Sequence, residues 1–151
     1  MDFDGWLLLI HIVAGAAWFG AGTTTVMLSS RARQRGELFS FVQQMEWVGP
    51  KLGPPVSIGV VGTGIWMVAR SGEFDFSDAW VIGALVGFVV LLAIGVGYHA
   101  RQYKKINAAA SEHGEGSSVV ADLITGSFRA AQIEVAVLLV IFWLMVAKPG
   151  L

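Results

Sequence analysis

No cysteine occurs among the 151 residues, which excludes a disulfide framework, a thiolate metal site and a cysteine nucleophile, and leaves the redox compartment undecided. Charge is scarce too. Charged residues make up 14% and hydrophobic residues 55%, whereas a soluble domain has about a quarter of its residues charged. With a mean hydropathy of +0.66, the chain reads as one small integral membrane domain in a lipid bilayer. Also missing are an internal repeat, a P-loop, a dinucleotide fingerprint, an HExxH motif and a nucleophile elbow, so soluble enzyme chemistry has no motif to rest on. The basic residues flank apolar runs without forming a dense patch. They are topology anchors, and no nucleic-acid partner is expected.

What is present is apolar length. Trp6 to Leu28 is uncharged, with His11 as its one ionisable side chain, and at ~1.5 Å per residue it crosses a ~30 Å hydrocarbon core. MDFDGW has acidic residues where a signal peptide needs basic ones, so this run is a membrane span. Arg31, Arg33 and Arg35 follow it and place the first loop in the cytoplasm and the N-terminus outside. Further spans are expected at about 54–70, 79–100 and 128–147, with Arg101, Lys104, Lys105 and Arg129 again on the inner side. Leu38 to Val48 is too short and polar to span, yet Leu38, Phe41, Val42, Met45 and Val48 fall on one stripe. A short interfacial helix is expected there, ended by Gly49 and Pro50, with Pro54 and Pro55 in the first turn of the second span. Asn107 to Ser118 has the composition of a linker, with His113 as a solvated loop histidine. The expected fold is all-α: a four-transmembrane-helix antiparallel bundle with a short interfacial helix between spans one and two, both termini outside.

Two polar loci stand out. His11, Gly15, Trp18 and Gly22 share a face of the first span, and an imidazole is costly in lipid, so that face turns inward. Levels counted from the interfaces put Thr63, Trp66, Met67, Phe142, Trp143 and Met145 near His11. Three chemistries fit His11: a neutral ring bonded to Thr63 or a backbone carbonyl, haem ligation, and proton or other metal chemistry. The second locus is deeper. Glu134, Gln132 and His99 lie in the inner half, with Thr23, Thr24, Thr25 and Ser57 at similar depth. A carboxylate there needs a proton, a partner or water, and Arg129, His99 and Tyr98 are the candidate partners. His11 and His99 are offset by ~20 Å along the membrane normal, too far apart to grip one haem. Gly83 and Gly87 form a GxxxG pair on the third span, a surface for close packing on a neighbour.

HIVAGAAWFGAG, the basic RARQR and the closing IEVAVLLVIFWLMVAKPG together resemble a bacterial family of four-helix membrane proteins of unknown function. That family is distantly similar to the copper-resistance D proteins and to the membrane protoporphyrinogen oxidase of haem synthesis. The resemblance covers nearly the whole chain and implies a multi-pass protein of the bacterial inner membrane. By comparison with the oxidase, it implies that haem b binds at His11, with Gly15, Trp18 and Met67 around it. No lysine lies inside the third span, where the oxidase-like proteins use one. The other reading is a non-catalytic subunit whose glycine faces pack against a second copy or other membrane chains.

Overall fold

The computed structural model describes residues 2–150. Five α-helices fill it: α1 (Phe3–Arg35), α2 (Leu38–Arg70), α3 (Ala79–Leu92), α4 (Ala100–His113) and α5 (Ser118–Ala147), with a π-helical segment, Ala93–His99, joining α3 to α4. Because α3, the π segment and α4 run on as one rod from Ala79 to His113, there are four rods, each long and apolar enough to cross a membrane. Successive rods are antiparallel. The expected all-α membrane bundle is what the chain forms.

Local chemistry sets the ends. Asp2 caps α1 by accepting the Gly5 N–H at 2.9 Å, and Gly36 closes the same helix in the left-handed region at φ 72°, where glycine has no Cβ to clash. Ser117 caps α5 by accepting the Val120 N–H. At one end of the bundle Asp4 pairs with Arg70 at 3.4 Å. There too the Lys148 ammonium sits over the Phe74 ring at 4.0 Å, so both chain ends share this side.

The short interfacial helix does not exist as a separate element. Leu38 to Val48 is the first part of α2, which continues through Pro50, Pro54 and Pro55 to Arg70. The proline rings hold φ near its helical value, and a helix surrounded by apolar material has more to lose by exposing its backbone than by giving up the bonds those rings remove. The expected linker is likewise mostly helix, because α4 reaches His113 and α5 already starts at Ser118.

These overruns build a head at the end of the bundle opposite Asp4 and Arg70. Val42 from α2, Ile106 from α4, and Val120 and Ile124 from α5 form its core, each at most 2% exposed. Cross-links tie it together: Arg33 to the Thr125 hydroxyl at 2.8 Å, and Asn107 to Glu46 at 3.0 Å. Arg31, Arg33, Arg35, Arg101, Lys104 and Lys105 stand in this half, and Arg70 and Lys148 at the opposite end. The membrane half has a second core, in which Ala84 and Leu91 of α3 meet Leu138 and Ile141 of α5, flanked by Trp18 and Phe19. Around it Ile12, Ile58, Val89 and Val146 point outward, the arrangement lipid requires and water would penalise. Helix α5 packs against every other element and so positions both polar loci.

Candidate functional site

His11 lies where α1, α2 and α5 meet. Its Nδ1 is 2.8 Å from the Val60 carbonyl oxygen and 3.1 Å from the Thr63 hydroxyl. The Thr63 hydroxyl donates to Gly59 O, so both neighbours of Nδ1 act as acceptors. Nδ1 therefore carries the ring proton, and in the neutral imidazole Nε2 presents a bare lone pair. That lone pair faces Met145 Sδ at 3.5 Å. Gly64 makes the approach possible, since a Cβ there would stand 3.1 Å from the His11 ring.

The other residues of this face are dispersed. Gly15 is buried against Phe142, whose ring would lie 3.3 Å from an added Cβ. Trp18 packs edge-on against Phe88 with centroids 6.1 Å apart. Met67 is half-buried, and the thioether that meets His11 is Met145's. As packed, these residues do not fit a haem. The gaps left by Gly15, Gly22 and Gly64 are filled by Phe142, Val135 and His11 itself, so these three glycines do not hold space for a macrocycle. Among the described residues no group of three or more His, Asp or Glu side chains converges on a metal position.

The second locus is built on the π segment. An i→i+5 turn widens the helix and re-aims the side chains beyond it, which is why such segments recur at functional sites. Here it ends on His99, whose Nε2–H donates to Glu134 Oε2 at 3.2 Å. The two side chains are 14% and 23% exposed. Gly95, within the segment, faces the carboxylate, an added Cβ standing at ordinary contact distance, 3.6 Å, from Oε1. Tyr103 stacks on the imidazole at 6.0 Å and Tyr98 meets it edge-on at 5.6 Å. His99 Nδ1 is buried and has no partner among the described residues. Arg129 is exposed, which leaves His99 as the partner of Glu134.

Gln132 does not join this site. It is exposed, because two residues along a helix turn a side chain almost to the opposite face from Glu134. Thr25 and Ser57 give their hydroxyls to carbonyls of their own helices, and the Thr23 hydroxyl is buried without a partner among the described residues. The π segment was missed in sequence. Its only local signal, Gly95 and Gly97 before His99, reads equally well as ordinary small-residue packing.

The arrangement is thus a membrane bundle with two histidine loci. A family model described as "Predicted integral membrane protein (DUF2269)" matches residues 6–149. The chain belongs to that family. No curated protein and no solved structure matches it. For this DUF2269 chain, function has to be argued from the two loci.

Proposed function

We propose that the protein is a proton-handling membrane protein of the bacterial inner membrane, with its head in the cytoplasm, both termini outside, and its working centre at His99 and Glu134. One observation supports this most directly: His99 donates one ring N–H to Glu134 at 3.2 Å while its other ring nitrogen is buried without a partner. In the neutral ring that nitrogen holds a lone pair. A proton arriving there gives an imidazolium paired with the carboxylate, and its departure restores the starting state. The groups facing the ring are Glu134 from α5 and Tyr98 and Tyr103 from its own rod. A pair held by one bond in a widened helix suits exchange better than a fully bonded structural bridge does. Infrared difference spectra of reconstituted protein taken across pH 5 to 8 test this. A carboxylate band that shifts as the imidazole gains its proton, absent from Glu134→Gln and unshifted in His99→Ala, is expected, and spectra identical in wild type and Glu134→Gln overturn the proposal.

A second reading rests on the facing pair at His11. Nε2 and Met145 Sδ are two electron-pair donors 3.5 Å apart, and a cation bound to both would see them at an angle close to tetrahedral. Imidazole with thioether is a soft donor set, suited to a monovalent ion such as Cu(I). Titration with Ag(I) should show one site lost in both His11→Ala and Met145→Leu. Binding that survives either substitution removes this reading.

A further inference from the structure

The rod that carries His99 also carries, around its basic end, a groove that shares only Tyr98 with the His99 locus. It has a volume of about 490 Å³ and is lined by Ala93, Gly97, Tyr98, Arg101, Gln102 and Lys105. Four of these, Ala93, Gly97, Arg101 and Lys105, recur every fourth residue and so make one stripe along the rod. The stripe changes character part-way. It is small and uncharged within the membrane half and cationic where the rod enters the head. Arg101 and Lys105 are exposed, and neither has an acidic partner among the described residues.

The polar wall is anchored to α5. Gln102 is 7% exposed and donates its amide N–H to the Leu123 carbonyl at 2.9 Å. The Tyr98 hydroxyl lies where Gly126 leaves room, an added Cβ standing 3.1 Å from it. Gly97 has nothing within 4 Å of where its Cβ would be, so the membrane half of the groove is open.

We propose that this groove holds an anionic phospholipid, its headgroup phosphate between Arg101 and Lys105 and an acyl chain along Gly97 and Ala93. The change along the stripe occurs where a phospholipid itself changes from hydrocarbon to phosphate. Two unpaired cations complement the headgroup charge, and a guanidinium can bind two phosphate oxygens at once. A diffuse basic surface would attract any anion; the open small-residue half is what adds selection for a lipid.

The test uses the full chain purified in detergent, with phosphatidylglycerol, phosphatidylcholine or inorganic phosphate added. Native mass spectrometry and the melting temperature are read together. Phosphatidylglycerol should be retained and raise the melting temperature, while the other two do neither. Arg101→Gln and Lys105→Gln should each lower retention about fivefold, and Gly97→Leu should lower it with both cations in place. Lys104→Gln, outside the groove, should change nothing. The proposal fails if phosphatidylcholine or phosphate protects equally, if Gly97→Leu has no effect, or if Lys104→Gln acts as strongly as the groove substitutions.

Discussion

Gly87 lies so close to Ile141 that an added Cβ would stand 2.9 Å from two of its side-chain atoms, and Gly83 is equally close to Leu144. This is the GxxxG face of α3 seated on α5. In lipid, where burial adds little between helices, such contact supplies the packing. Gly83→Leu or Gly87→Leu should destabilise the bundle by about 1–3 kcal/mol through overpacking, read as a lower melting temperature in detergent. Unchanged melting for both would show that this face does not need its glycines.

His11→Ala should be tolerated. It removes the bonds to Val60 and Thr63, and buried side-chain hydrogen bonds within membranes average about 0.6 kcal/mol with a maximum near 1.7. Because Met145 Sδ faces Nε2 at 3.5 Å and Phe142 fills the gap at Gly15, haemin added to wild-type protein should give no Soret shift that depends on His11. A shift abolished by His11→Ala would show that the bundle opens for the macrocycle.

The head should behave as a packed core of its own. Ile124 and Ile106 are at most 1% exposed, so truncating either to alanine should cost about 2–5 kcal/mol. Amide exchange in α4 and the first half of α5 should rise before that of the membrane half. Equal acceleration in both halves would mean that they unfold as one unit.

The absence of cysteine makes topology directly measurable, since any introduced thiol is the only one. Ser111→Cys in α4 should be labelled by an impermeant maleimide only after the membrane is opened, and Gly72→Cys in the opposite loop should be labelled in intact cells. The reverse pattern would invert the orientation.

Asp75 gives a pH dependence with a definite sign. Its carboxylate accepts the Ser77 N–H at 2.8 Å and the Ser77 hydroxyl at 2.7 Å, which holds its pKa below the ordinary carboxylate value. The loop contribution is therefore complete above that ordinary value and is lost as pH falls through the lower, folded one. The Ser77 amide should titrate with a midpoint below that of an unstructured aspartate, and Asp75→Asn should abolish the transition.

Sequence alone determined that this is a four-rod membrane bundle, because an apolar run of bilayer length has no other stable solution in lipid, and the arginine and lysine pattern then fixes the expected side of each loop. It also placed His11 level with Thr63 and Met145, since helical rise converts residue number into depth. Depth does not give azimuth. Which neighbour each ring meets depends on how the rods rotate and tilt, so the choice of Met145 over Met67, the exposure of Gln132 and the pairing of Glu134 with His99 came only from packing. The head and the π segment were decided in the same way. Leu38 to Val48 joins α2 because Phe41 and Val42 find α4 and α5 to bury against, and the turn before His99 widens in a stretch whose residues, taken locally, fit an ordinary α-helix equally well.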